Sequence, residues 1–313
     1  MEHCLVTGGA GFIGSNLTRD LLEQGYSVRV LDDFSTGREE NLKDISAHIE
    51  IIRGDIRDPD EVKKAVKKID CVFHQAALPS VQRSVLDPAA THEVNARGTL
   101  NVLLAARDGG VKKVIFASSS SVYGDSETLP KSEEFTPAPL SPYAATKLMG
   151  ENYCKIFYNL YGLKTVALRY FNVFGPRQDP GSEYSAVIPN FIFALLRKKN
   201  PVIYGDGEQS RDFTYISNVT NANILAARSP KSAGRILNIA TGDRLTLNEL
   251  ARKLSGILHV DMAPQYSDPR PGDIRHSFAA VKRAEEALGY TVTVEIEEGL
   301  KKTVEWFKES YPV

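Results

Sequence analysis

Over the first 170 residues, short apolar runs rich in β-branched side chains alternate with longer stretches whose apolar residues recur every three or four positions. The runs at 4–7, 27–32, 49–53, 71–75, 113–118 and 164–169 predict strands. The stretches at 14–24, 59–67, 94–107 and 142–161 predict helices. Strictly alternating strands and helices imply an α/β fold with a doubly wound parallel sheet. The last helix is punctuated at both ends: Ser141 suits the N-cap, Pro142 the first helical position, and Gly162 the place just past the end. After about Phe171 the rhythm breaks. A loop at 175–181 leads into a less regular mixture, which predicts a first domain over 1–170, with returns near 211–242, and a smaller α/β domain over 171–313. No internal repeat or low-complexity tract interrupts either part. Segments 126–141 and 267–273, rich in Pro, Ser and charge, are the expected functional loops.

Composition narrows the class of protein. Apolar residues make up 42% and charged residues 25% of 313, an ordinary globular balance. A net charge of −1 offers no basic surface for nucleic acid or an anionic membrane. No apolar run nears the roughly 20 residues that span a bilayer. The chain opens on a strand pattern, with no basic start and cleavage site before it, so a cytoplasmic protein is expected. Cys4, Cys71 and Cys154 are scattered among apolar neighbours, and the six histidines form no ligand-spaced cluster with them. Reduced, buried thiols and no metal site are expected.

Three patterns carry chemistry. Gly8, Gly9, Gly11 and Gly14 follow the first strand and open the first helix, satisfying both G-x-x-G-x-x-G and G-x-G-x-x-G. Such a turn lets the backbone approach a pyrophosphate seated on the helix N–H groups. Asp32 and Asp33 end the second strand, where a carboxylate meets the adenosine ribose hydroxyls and repels a 2′-phosphate. NAD is favoured over NADP, with Arg38 as the one nearby counter-indication. Asp55, after the third strand, is open to two readings: a contact to the adenine amino group, or the cap of the helix beginning at Pro59. The small residues of His74-Gln75-Ala76-Ala77 suit a backbone lying against a dinucleotide or simple packing, and His74 reads as an interior histidine. The second pattern is Tyr143 and Lys147, four apart and so on one helix face. A fixed cation beside a phenol favours the phenolate, which makes the pair a candidate general acid/base. The third pattern is the run Ser118–Ser121, at the carboxyl end of the fifth strand, where α/β sheets bind ligands. A hydroxyl there could bond the oxygen that Tyr143 addresses.

Taken together, the glycine turn, strand-end Asp, serine run and Tyr-x-x-x-Lys resemble the extended short-chain dehydrogenase/reductases that act on nucleotide sugars. Within that group the stretches 168–175, 205–213 and 270–273 look most like UDP-hexose 4-epimerases, particularly those accepting UDP-N-acetylglucosamine. The resemblance implies Ser119, Tyr143 and Lys147 as catalytic residues. It implies an NAD site from Gly8, Gly11, Phe12, Ile13, Gly14, Asp32, Asp33, Ser35, Gly37, Asp55, Ile56, Gln75, Ala76, Ala77, Asn95, Ser118, Tyr143, Lys147 and Tyr170. For the UDP-sugar, Asn172, Arg211 and Arg270 would hold the pyrophosphate, planar guanidiniums being a suitable grip. Val187, Ile188 and Tyr204 would wall the uracil, and Asp273 would meet its ribose. Related 4,6-dehydratases carry Asp-Glu where Ser120 and Ser121 stand, so elimination is disfavoured. Glucose-restricted epimerases carry a bulky Tyr at Ser277 and some a Lys at Pro79; the small Ser277, with Ser80, suits a 2-acetamido group. The implied assembly is a homodimer built on a four-helix bundle from segments 94–107 and 142–161. A dehydratase, a nucleotide-sugar reductase and an NAD-sensing protein are the competing readings.

Overall fold

The computed structural model describes residues 2–179, 186–269 and 275–311. Its first strands are β1 (His3–Thr7), β2 (Ser27–Asp32), β3 (Glu50–Arg53), β4 (Cys71–His74), β5 (Lys113–Ser119) and β6 (Lys164–Tyr170). Past Tyr170 they shorten to β7 (Val173–Phe174), β8 (Val202–Tyr204), β9 (Ser210–Arg211) and β10 (Thr214–Tyr215). Then β11 (Arg235–Ile239) returns to the main sheet, and β12 (Leu245–Thr246), β13 (Gln265–Ser267) and β14 (His276–Ser277) follow. The seven-stranded sheet runs β11-β6-β5-β4-β1-β2-β3, with every pair parallel. The chain order reverses direction at β1, between β2 and β4, so a crevice opens at the carboxyl ends there. All four residues of β4 are buried, as are the first six of β5, which explains why they read as unbroken apolar runs.

The helices are α1 (Phe12–Glu23), α2 (Pro59–Ala65), α3 (Val81–Leu86), α4 (Pro88–His92), α5 (Thr99–Asp108), α6 (Pro142–Tyr161) and α7 (Val187–Leu196). They continue with α8 (Ile216–Arg228), α9 (Leu247–Leu258), α10 (Lys282–Leu288) and α11 (Ile296–Ser310). One sheet face packs Leu17 and Leu21 of α1, Val219 and Ile224 of α8, and Leu288 of α10. The other packs Val62 of α2, Val102 and Leu103 of α5, and Cys154 and Phe157 of α6. A third cluster, around Ile192, Ile203, Leu254, Leu300 and Phe307, lies among the later elements. All three cysteines are buried and free. Among the described residues no helix is long and apolar enough to cross a membrane.

One sequence expectation needs correction. The single helix expected over 94–107 is α5 preceded by α3, α4 and a π-helical turn at Glu93–Gly98. Ile56 presses against Gly98 there: a Cβ would lie 2.6 Å from Ile56 Cδ1, so glycine admits the close approach. Segment 126–141, one expected functional loop, is anchored by contacts of its own. Lys131 bridges to Ala279, its Nζ donates to the Ser126 carbonyl, and Glu133 accepts from the Asn238 N–H at 2.8 Å. Of the other expected loop, 270–273 lie outside the described residues.

Candidate active site

The glycine turn is dictated by close approach. Gly8 has φ +69°, and a Cβ on it would lie 2.6 Å from the Ala76 nitrogen. A Cβ on Gly14 would lie 2.1 Å from the Gly8 carbonyl oxygen. Gly11 is the N-cap of α1 and supplies no side chain to its first N–H groups, which are left to meet a ligand. Asp32 is buried at the end of β2. Its Oδ2 accepts from the Ala10 N–H and its Oδ1 from the Phe34 N–H, both at 2.8 Å. Burial raises its pKa against those two bonds. Gly37 closes over it: a Cβ there would sit 2.9 Å from Asp32 Oδ1. Asp33 turns away to accept from the Ser35 N–H and hydroxyl. Arg38, the residue that kept NADP in view, spends its guanidinium on Asp179 at 2.6 Å. A cradle of glycines that side chains would fill, an uncapped helix start and a strand-end carboxylate fit a dinucleotide of the NAD type. Gly14→Ala must displace the Gly8–Gly9 backbone. The expected outcome is a protein that purifies with less bound NAD and melts lower; an alanine variant that keeps a full complement of NAD, measured on cofactor released by acid, would refute this account of the turn.

Beside this cradle, Asp32, Asp33, Ser35, Asp55, Ile56, Ala76 and Ala77 line a smaller recess. Asp55 does not cap the helix at Pro59; Asp58 does, accepting from the Asp60 and Glu61 N–H groups. Asp55 instead grips Arg57, which holds its carboxyl below the usual range even though burial works the other way. His74 is the interior histidine expected. It bonds the hydroxyls of Thr7 (2.7 Å) and Thr99 (2.9 Å), and burial lowers its pKa to about 3. Asn95, in the π turn, binds both backbone groups of Leu78 and the Thr146 hydroxyl, bracing the 76–79 loop against α6. Gln75 and Tyr170 meet across the sheet edge, where Asn223 of α8 joins them: Tyr170 Oη donates to Asn223 Oδ1 at 3.0 Å.

Helix α6 carries the proton chemistry. The Ser141 hydroxyl accepts from the Ala144 N–H, Pro142 occupies the first turn, and Gly162 ends the helix at φ +70°. Lys147 is buried and donates through Nζ to the Ala117 carbonyl at 2.8 Å; the same nitrogen lies 5.7 Å from the centre of the Tyr143 ring. Burial alone lowers Lys147 to about 8. Burial likewise raises Tyr143, against a hydrogen bond from the Ser119 side chain. Without the dinucleotide, desolvation dominates Tyr143, and the Lys147 ammonium is turned toward the backbone. The serine run splits. Ser118 Oγ points back to Glu151 Oε1 at 2.5 Å, while Ser119 points forward to Tyr143 and accepts from the Ser121 N–H. Glu151 is also ion-paired with Arg169, both almost fully buried.

Gly8, Gly11, Asp32, Gln75, Ser80, Ser118, Tyr143, Lys147 and Tyr170 all line one cleft of about 700 Å³. A second cavity of about 260 Å³ gathers Asn172, Val187, Ile188, Tyr204 and Arg211, and the two share Ala186 as a wall. Asn172 Nδ2 donates to the Asp212 carbonyl, and Arg211 Nη1 to the Ser210 and Arg275 carbonyls. Ser277, on β14, is buried beside Arg211, its register partner on β9. Ser80 caps α3, accepting from the Arg83 N–H. Arg270 and Asp273 lie outside the described residues. Sequence reasoning missed Glu151, Arg169 and Asn223. A signal existed for two of them: Glu151 follows Lys147 by four on the same helix face, and an Arg inside an apolar strand demands a buried counter-charge.

The profile of the NAD dependent epimerase/dehydratase family matches residues 4–240. The UDP-glucose 4-epimerase of Mycolicibacterium smegmatis is 41% identical over 97% of this chain and 98% of its own length. Among solved structures, the UDP-N-acetylglucosamine 4-epimerase of Methanobrevibacter ruminantium M1, in complex with UDP-N-acetylmuramic acid, superposes with a TM-score of 0.95 at 44% identity, covering 99% of both chains. The UDP-glucose 4-epimerase of Thermotoga maritima with UDP-glucose gives 0.94 at 39%, covering 98% of this chain and 99% of that one. With a dinucleotide cradle, a Tyr-x-x-x-Lys helix and likeness along its whole length, this chain belongs to the NAD dependent epimerase/dehydratase family.

Proposed function

We propose that the protein inverts C4 of a UDP-hexose, with UDP-N-acetylglucosamine and UDP-glucose as the substrates to try first. One observation carries the reading. On the β5 side of the cleft the proton-carrying groups are Tyr143 and Lys147, because Ser120 and Ser121 stand where elimination would need carboxylates. NAD supplies the acceptor and donor of hydride and a positively charged ring. Tyr143 takes the proton of the C4 hydroxyl as that carbon is oxidised, and Ser119 bonds the same oxygen. Lys147 keeps a cation near the phenol. Asn172 and Arg211 hold the pyrophosphate while the 4-keto sugar turns about its bond to it and presents the other face. Tyr143 then returns the proton. No net redox change occurs, so NAD stays with the protein through turnover. The subunit pairs with a second copy through α5 and α6; Ile156 and Leu160, exposed on α6, support this.

The test is incubation of purified protein with each sugar nucleotide and no added NAD, followed by NMR. Galacto epimers are expected; a 4-keto-6-deoxy product, or no turnover of either, refutes the proposal. Ser277→Tyr should cut turnover of the N-acetyl substrate by about tenfold or more relative to the glucose substrate, since filling a small pocket costs about 1–3 kcal/mol. Equal loss on both would remove Ser277 from the specificity argument.

A further inference from the structure

Four cations line the main cleft: Arg38, Arg83, Lys147 and Arg177. Three are committed within the protein. Arg38 pairs with Asp179 at 2.6 Å, Lys147 donates to the Ala117 carbonyl at 2.8 Å, and Arg177 donates to Asn16 Oδ1 at 3.0 Å. Arg83 is half-buried, and among the described residues no side chain or carbonyl accepts from its guanidinium. Its guanidinium lines the cleft with five donors that no described residue takes up, leaving them for an acceptor that a ligand supplies. The place of Arg83 in the fold says which part of a ligand that is. Helix α3 follows β4 and packs on α6, the helix of Tyr143 and Lys147. The Asp32 end of the cleft lies across β1, on the β2 side. Arg83 therefore flanks the reacting sugar rather than the adenosine. The remaining phosphates have donors of their own, in the start of α1 and in Asn172 and Arg211.

We propose that Arg83 is a specificity-determining residue that favours a UDP-hexose bearing a carboxylate on the sugar, a hexuronate or its 2-acetamido form. This rests on the reading of the cleft as a UDP-sugar site. A neutral hydroxymethyl group offers the fork a single uncharged oxygen, whereas the two oxygens of a carboxylate accept two parallel bonds from it and neutralise its charge. Helix α3 begins at Ser80, which lines the same cleft one turn away and is placed to meet a 2-substituent.

The test compares kcat/KM of the NAD-loaded protein for UDP-glucuronate and UDP-glucose, in the wild type, Arg83→Met and Arg83→Lys. The wild type should prefer the uronate. Methionine should lower the uronate-to-glucose ratio by about 10- to 100-fold, the worth of a charge-assisted bond. Lysine, keeping the charge without the fork, should fall between. An unchanged ratio in Arg83→Met overturns the proposal. So does loss of bound NAD from that variant in parallel with activity, which would place Arg83 on a cofactor phosphate. If neither sugar turns over, calorimetric Kd values for the same two nucleotides still decide: a uronate preference lost in Arg83→Met sustains the role of Arg83 while C4 inversion fails, and equal affinities overturn it.

Discussion

Tyr143→Phe lowers kcat by about two to four orders of magnitude, the usual contribution of a single well-placed acid–base group. Phenylalanine keeps the ring against Lys147 and removes just the oxygen that Ser119 reaches. The pH profile adds a second, independent mark. Burial raises Tyr143 and lowers Lys147 to about 8, so the two titrate as a pair in the reverse of the order that the free side chains suggest. The active form needs Tyr143 ionised and Lys147 charged, and because Lys147 titrates at the lower pH that form is a minor one. Wild-type kcat should therefore trace a bell whose acid side lies near pH 8, above which loss of the Lys147 cation cancels further ionisation of Tyr143, and whose alkaline side lies above the ordinary Tyr value. In Tyr143→Phe the residual rate should lose the acid limb. Retention of more than a tenth of wild-type kcat, or an unaltered acid limb, would show that another group moves the proton.

How far the chain discloses this site depends on whether the forces involved are local. Helix α6 could be read to the residue because Ser141, Pro142 and Gly162 act within one turn of its ends. The inner strands β1, β4, β5 and β6 were legible because strands covered on both faces are apolar nearly throughout. Strand β2 and the exposed edge strand β3 showed themselves by β-branched residues in the alternation with helices. The seventh, β11, was anticipated just as a return near 211–242; its partner β6 lies some seventy positions earlier. The π turn and the short helices before α5 were hidden for the same reason. They are held by Ile56 against Gly98 and by Asn95 on Leu78, contacts with no local sequence signature, although Asp87-Pro88 does announce α4. The cap reading of Asp55 fails because Asp58, directly before Pro59, takes the first N–H groups of α2, while Asp55 is held by Arg57. The Tyr143–Lys147 spacing put both side chains on one face, yet the spacing was silent about burial, and burial governs both pKa values.

Glu151→Ala should destabilise the fold by about 3–5 kcal/mol, the cost of leaving a buried charge unpaired. Glu151 receives Arg169 twice, at 2.8 and 2.7 Å, and takes the Ser118 hydroxyl on the same carboxylate. It thereby ties α6 to β5 and β6 one helical turn beyond Lys147. The pair is not arranged for stability alone. Arg169 Nη1 is buried with no acceptor, and the guanidinium lies 4.5 Å from the centre of the Tyr123 ring, so desolvation is incompletely offset. Removing both charges should then be milder than removing one. In urea titrations Glu151→Leu/Arg169→Met is expected to recover most of the stability lost in Glu151→Ala. Its kcat should nevertheless stay depressed, because Ser118 and the end of β5 that presents Ser119 have lost their anchor on the Tyr143 helix. A double variant as unstable as the single would mean that packing, not charge, sets the cost; one with full kcat would mean that the catalytic helix needs no such tie.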